Sequence, residues 1–141
     1  EKQRGRMIDK IKRALGGLRG KTIGALGLSF KPNTDDLRDS PAIGIIEALI
    51  KKGVSVQAYD PVAMDGAKKK FKKIIFRENP YEAARGADGI LLLTEWNEFR
   101  NLDFNRLKEL LNQPIMIDLR NVYNPETIRD FGFSYISVGR K

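Results

Sequence analysis

Two basic side chains that could bind a phosphate lie in the long segment between residues 28 and 40. Lys31 offers a compact positive charge, and Arg38 offers a planar guanidinium that matches phosphate oxygens. Three aspartates in the same segment oppose these charges, so the alternative is a surface loop whose charges pair with one another. The residues alone leave both interpretations open.

The chain contains no cysteine and no histidine in its 141 residues. A thiol nucleophile and a disulfide framework are therefore excluded, and so are the commonest general base and the commonest metal ligand. We expect no catalytic residue and no metal site in this chain. Binding is the chemistry that its composition favours.

The formal net charge of +8 would attract an anionic partner such as a phosphate-bearing ligand or nucleic acid. The basic residues cluster in two stretches, 2–13 and 68–73, without a nucleic-acid motif, and we interpret both as solvated helix faces. Charge alone gives a nucleic-acid partner little support, and we expect none. No apolar run suits a membrane helix or a signal peptide, so we expect a cytoplasmic protein without membrane contact.

Residues 1–15 have apolar positions at helical spacing and begin with Glu, and a glycine-rich break follows over 16–20. We interpret 1–20 as the tail of a helix from a neighbouring module with its linker. The domain itself is then predicted to span 21–141.

From residue 22 onward, short apolar runs alternate with amphipathic segments. This pattern predicts an α/β fold: a doubly wound, mainly parallel sheet of about six strands, Rossmann-like and preceded by the N-terminal helix. The strands are predicted at 22–27, 54–59, 73–76, 89–94, 115–118 and 133–138. Helices are predicted near 62–70, 79–86, 103–111 and 125–130. A further helix is predicted with Ser40 as its N-cap, Pro41 as its first residue and Gly53 as its C-cap.

In such sheets ligands bind beyond the carboxyl ends of the strands, so the loops there are the candidate site. The dinucleotide fingerprint G-x-G-x-x-G is missing, because Gly24 and Gly27 are its only glycines and the next helix starts about thirteen residues later. We therefore predict that the main nicotinamide site lies elsewhere. Asp60 could still mimic the ribose-binding acid, although a turn role in Asp-Pro is the simpler alternative.

Four motifs occur in order along the chain: FKPNTDDLRDSP at 30–41, TEWNEF at 94–99, IDLRNVYNP at 117–125 and GFSYISVGR at 132–140. Together they resemble the C-terminal, UDP-binding domain of the nucleotide-sugar dehydrogenases. The likeness runs from about residue 21 to 140. It is strongest to the UDP-glucose branch, with the GDP-mannose and UDP-N-acetylmannosamine branches as close relatives.

The resemblance implies an enzyme with an N-terminal NAD-binding domain, a central helix that dimerises subunits, and this domain over the UDP end of the sugar nucleotide. Such enzymes oxidise the sugar C6 alcohol to a carboxylate with two NAD molecules and a cysteine thioester. This chain would then act within a homo-oligomer and be inactive alone, with NAD bound mainly by the other domain.

The resemblance also assigns residues. Phe30, Lys31 and Arg120 would contact the nucleotide sugar, and Arg38 would reach toward NAD. The alternatives are a core position for Phe30, ion pairs within the loop for Arg38 and a surface salt bridge for Arg120. Trp96 is expected to be a buried residue that packs an interdomain surface. A free-standing nucleotide-binding module is the alternative for the whole chain.

Overall fold

A computed structural model describes residues 2–29, 37 and 40–138 and contains a six-stranded sheet in which every paired strand is parallel. The strands are β1 (Thr22–Leu26), β2 (Ser55–Tyr59), β3 (Ile75–Phe76), β4 (Gly89–Leu92), β5 (Ile115–Asp118) and β6 (Ser134–Ser137). Their order across the sheet is β3-β2-β1-β4-β5-β6. This is the doubly wound order of Rossmann-type folds, with the winding direction reversing between β1 and β4. The predicted fold class is confirmed.

Seven helices connect or precede these strands in the described part of the chain. They are α1 (Lys2–Leu15), α2 (Pro41–Lys51), α3 (Met64–Lys70), α4 (Pro80–Ala84), α5 (Asn97–Arg100), α6 (Phe104–Leu110) and α7 (Pro125–Asp130). The sequence did not predict α5, because a single turn of four residues has no measurable periodicity. No helix within the described residues is long and apolar enough to cross a lipid bilayer.

Three strand predictions ran too far at the carboxyl end. The sixth strand ends at Ser137 instead of 138. The first strand ends at Leu26 instead of 27, and the fourth ends at Leu92 instead of 94. The residues beyond the ends of these last two strands remain buried and apolar or small, so composition does not distinguish them from the strand. In the structure they form the loops of the carboxyl edge.

The sheet is covered by a different set of helices on each face. Crossovers between parallel strands are right-handed, which places α2 and α3 on one face and α4, α6 and α7 on the other. The apolar residues divide in the same way, into one cluster with α1, α2 and α3 and a second with α4 to α7. Each face therefore has its own hydrophobic core.

The N-terminal helix α1 covers the part of the first face that the crossovers leave open. Its Ile11 is fully buried, and Leu15 lies so close to β4 that a Cβ on Gly89 would be 3.1 Å from the Leu15 Cδ2. Leu91 and Ile117, from β4 and β5, belong to the same cluster. The helix is thus part of the domain core. The proposed boundary at residue 20 stays a prediction, because a helix can pack here and also continue into another module.

The helix α2 is fixed at both ends. Gly53 has φ +93, its N–H donates to the Ile50 carbonyl (3.0 Å), and the Val54 N–H donates to the Leu49 carbonyl (3.1 Å). These are the two bonds of a Schellman motif, which confirms the predicted C-terminal glycine.

Ser40 occupies the predicted N-cap position, but its side chain does not cap α2. The hydroxyl instead donates to the carbonyl of Leu28, at 2.7 Å. This bond joins the exit of β1 to the entry of α2. The described residues Leu28 and Ser40, on either side of the connecting segment, are therefore held together.

We expect Ile11→Ala to lower the free energy of unfolding by about 2–5 kcal/mol, since the change leaves a cavity between α1 and the sheet. Urea denaturation followed by circular dichroism measures this change. The control is Lys12→Ala on the exposed face of the same helix, which should stay within about 0.5 kcal/mol of the parent. Equal urea midpoints for the two variants would contradict a core role for α1.

Candidate functional site

The loops that follow β1, β4 and β5 meet at the carboxyl edge of the sheet, because these strands are neighbours. Their first residues are Gly27, Leu93 and Leu119. The Leu93 N–H donates to the Leu26 carbonyl (2.9 Å), and the Leu119 N–H donates to the Leu92 carbonyl (3.1 Å). The ladder thus continues one residue into each loop, and the three loops start from a rigid base.

Gly27 and Thr94 are in close contact at the point where the winding reverses. Gly27 has φ +101, and a Cβ built on it would lie 2.4 Å from Thr94 Oγ1 and 2.5 Å from Thr94 Cβ. Thr94 is 1% exposed, and its hydroxyl donates to the Ser29 carbonyl at 3.0 Å. A Rossmann dinucleotide site holds its pyrophosphate at the reversal point, on glycines and a helix start. Thr94 occupies that approach here, so the described residues do not fit the main NAD site.

Asp60, at the end of β2, is fully buried and makes a turn rather than a ribose contact. One carboxylate oxygen accepts from the N–H groups of Leu28 (2.8 Å) and Ser29 (3.4 Å). The other accepts from those of Val62 (2.9 Å) and Ala63 (2.8 Å). Both oxygens are occupied, which supports the simpler of the two roles considered for this residue.

Asp118 performs the same task at the end of β5. Its Oδ1 accepts from the Arg120 N–H (3.0 Å), and its Oδ2 accepts from the N–H groups of Val122 (2.8 Å) and Tyr123 (3.1 Å). The Tyr135 hydroxyl donates to the same Oδ2 at 2.7 Å. The buried carboxylate thus fixes the backbone on both sides of position 121. Sequence reasoning did not single Asp118 out, although an aspartate inside the apolar run IMID is a usable signal.

Arg120 lies at the tip of this turn, next to Asn121, whose φ of +56 is unusual for a residue other than glycine. The Arg120 guanidinium Nη2 forms a 2.8 Å ion pair with Glu95 Oε1, and the two side chains are 38% and 37% exposed. The surface salt bridge considered as the alternative is therefore present. It does not exclude ligand binding, because the guanidinium has five N–H donors and Glu95 takes one of them.

Arg120 also lines an open cleft of about 490 Å³ between the carboxyl edge, α1 and the start of α2. Arg4 of α1 lines the same cleft, with its Nη1 2.7 Å from where a Cβ on Gly44 would lie. Ser40 and Pro41 contribute the first residues of α2. The Arg120 guanidinium and the positive end of an eleven-residue helix at this cleft are both groups that attract anions.

The other three predicted site residues, Phe30, Lys31 and Arg38, lie outside the described residues. The ends of their segment are fixed at the carboxyl edge by the bond between Ser40 and Leu28 described above. Both ends lie near the cleft, since Ser40 is one of its lining residues. Their binding roles stay predictions.

Trp96 is buried as expected, at 7% exposure, in the second hydrophobic cluster. Its indole N–H has no hydrogen-bond partner among the described residues. The interdomain part of that expectation stays a prediction. Within the described residues, no group of acidic side chains is arranged to hold a metal ion.

Two tyrosines attach α5 to this edge. The Tyr59 hydroxyl donates to both carboxylate oxygens of Glu98, at 2.9 and 3.1 Å. Burial, followed by this hydrogen bond, raises the pKa of Tyr59 above its ordinary value. Burial also raises the pKa of Tyr123, whose hydroxyl donates to the Phe99 carbonyl. Both phenols therefore stay protonated as donors at neutral pH.

These features define a Rossmann-type binding domain with a cationic cleft and a closed reversal point. A comparison with known families matches residues 24–125 to the UDP-glucose/GDP-mannose dehydrogenase family, UDP binding domain. The chain belongs to this family, as the sequence motifs predicted.

Its relatives include a UDP-glucose 6-dehydrogenase of Rhizobium meliloti (strain 1021), 49% identical over 132 residues, which are 93% of this chain and 30% of the relative. UDP-glucose 6-dehydrogenase TuaD of Bacillus subtilis (strain 168) is 40% identical, with coverage of 99% and 31%. Among solved structures, a UDP-glucose dehydrogenase from Pyrobaculum islandicum has a TM-score of 0.74 at 28% identity, covering 94% of this chain and 28% of its own. The chain thus spans about a third of the length of these proteins.

We expect Gly27→Ala to destabilise the protein by about 2 kcal/mol or more, because a Cβ would collide with Thr94 at a positive φ. The matched control is Gly66→Ala in α3, where the nearest atom to the new methyl is Leu37 Cδ1 at 3.7 Å. This control should be neutral or stabilise by up to about 1 kcal/mol. Thermal unfolding measures both, and similar midpoints for the two variants would disprove the close contact.

Proposed function

We propose that this chain binds the UDP part of UDP-glucose in an NAD-dependent UDP-glucose 6-dehydrogenase, which oxidises that sugar nucleotide to UDP-glucuronate. The observation that carries the proposal is the cationic cleft between Arg120 and the start of α2, in a chain of this family. The names of relatives at 40% identity and above support UDP-glucose over the other branches.

The residues act by binding and orientation. The Arg120 guanidinium would donate to phosphate oxygens of UDP, for which a planar fork is the best side chain. Lys31 would add a second positive charge, and Phe30 would lie against the nucleotide. Arg38 would reach from this domain toward NAD.

The oxidation itself is assigned to other parts of the enzyme. When it is bound to the complete enzyme, NAD would accept the hydride in both oxidation steps. The chain contains no cysteine to form a thioester, and the reversal point of its sheet is closed by Thr94. An NAD-binding domain and a central dimerising helix, to which α1 would belong, complete the proposed cytoplasmic homo-oligomer.

We expect UDP to bind the 141-residue chain and Arg120→Ala to weaken that binding about 10-fold to 100-fold, since a hydrogen bond to a charged group contributes about 1.5–3 kcal/mol. Calorimetry or NMR titration gives the dissociation constants. The control is Arg85→Ala, which removes an arginine from an exposed ion pair with Glu82 at the end of α4. The proposed site would be refuted if UDP did not bind the parent chain, or bound Arg120→Ala equally well.

We also expect the 141-residue chain to form no NADH from UDP-glucose and NAD, because it lacks the thiol that the reaction uses. Absorbance at the NADH band measures the reaction, with a full-length relative as the positive control. NADH formation by the chain alone would contradict this division of labour. Comparison of UDP-glucose, GDP-mannose and UDP-N-acetylmannosamine on the full-length enzyme identifies the sugar.

A further inference from the structure

We propose that Glu95 is a positioning residue that holds the Arg120 guanidinium at the cleft. In this proposal, residues 94–96 also fix the loops after β1 and β5 relative to β4. The inference rests on the proposed function, because it concerns how the UDP-binding arginine is oriented. It assigns a role to the TEW part of TEWNEF, for which the sequence suggested no chemistry.

Thr94, the first residue of this segment, connects the end of β4 to the loop after β1. Its hydroxyl donates to the Ser29 carbonyl, and its side chain fills the space left by Gly27. This loop leads directly into the segment that contains Lys31. Thr94 thus fixes the position of one binding loop relative to β4.

Trp96 anchors the other side of Glu95. Its side chain is buried in the second core, and its carbonyl accepts from the Phe99 N–H at 3.0 Å, which starts α5. Glu95 therefore lies between two buried neighbours and has a fixed backbone. Its half-exposed carboxylate projects from the edge toward the loop after β5.

Arg120 is held at two points. The buried Asp118 accepts from its backbone N–H, and Glu95 accepts from its guanidinium. A long side chain of this type loses rotamer freedom when it binds a ligand, and a side chain that is already ordered loses less. Glu95 should therefore increase UDP affinity through Arg120, without a contact to UDP of its own.

Glu95 also has an opposing effect, since its negative charge repels the phosphates of UDP. This repulsion acts over distance and is screened at about 0.5 M salt, whereas a hydrogen bond at 2.8 Å is screened much less. Glu95→Gln removes the charge and keeps an acceptor oxygen at the same place. Measurements at high salt and on this variant therefore distinguish the orienting effect of Glu95 on Arg120 from the repulsion between its charge and the phosphates.

The experiment measures UDP dissociation constants at about 0.5 M salt for the parent chain, Glu95→Ala, Glu95→Gln, Arg120→Ala and the double alanine variant. We expect Glu95→Ala to weaken binding about threefold to tenfold and Glu95→Gln to stay within about twofold of the parent. In the Arg120→Ala background, Glu95→Ala should have no further effect. Glu109→Ala, an exposed acidic residue of α6, is the control for loss of a charge and should bind like the parent.

Three results would overturn the positioning role: parent affinity in Glu95→Ala, equal weakening by Glu95→Ala in both backgrounds, or a Glu95→Gln variant as weak as Glu95→Ala. Circular dichroism confirms that each variant is folded, as expected for an exposed pair. Failure of the proposed function has a different signature, since Arg120→Ala would then bind UDP like the parent or the parent would not bind.

Discussion

The carboxyl edge of this sheet depends on buried carboxylates that satisfy loop amides. Where a strand ends inside a protein, the N–H groups of the following residues lose their ladder partners and need another acceptor. Asp60 accepts four such bonds, two from residues after β1 and two from residues after β2. Asp118 accepts three from residues after β5, together with one from the Tyr135 hydroxyl. These bonds fix the described parts of the loops to the sheet.

The first turn of this sheet differs from that of a standard dinucleotide-binding site. In a standard Rossmann site, the first glycines leave room at the reversal point for a pyrophosphate. In this chain the Thr94 side chain packs directly against Gly27. Asp60, the acid considered for a ribose contact, accepts hydrogen bonds from backbone amides instead. Arg120 and Arg4 instead line the cleft at the start of α2, to the side of the reversal point. Under the proposed function, this fold would bind one end of a nucleotide sugar and a different domain would bind NAD.

Much of the fold was predictable because it follows from local patterns. Apolar runs and helix-ending residues located all six strands, and Gly53 ends α2 as predicted. The packing of α1 was not predictable in the same way. Its apolar face was clear from its spacing, but only the strand order shows that β4 and β5 would lack a cover on that side without it.

The candidate site was predictable in its location and less so in its contacts. Arg120 follows a strand, and the carboxyl edge is where ligands bind in such sheets, so its position could be inferred from sequence. Its partner Glu95 is 25 residues away, and the hydroxyl of Ser40 bonds a carbonyl 12 residues away instead of its own helix. The pair of Arg120 and Glu95 depends on which strands are neighbours, and a single sequence does not contain that order. Because β4 lies next to β5, an acid after the first strand and an arginine after the second can meet.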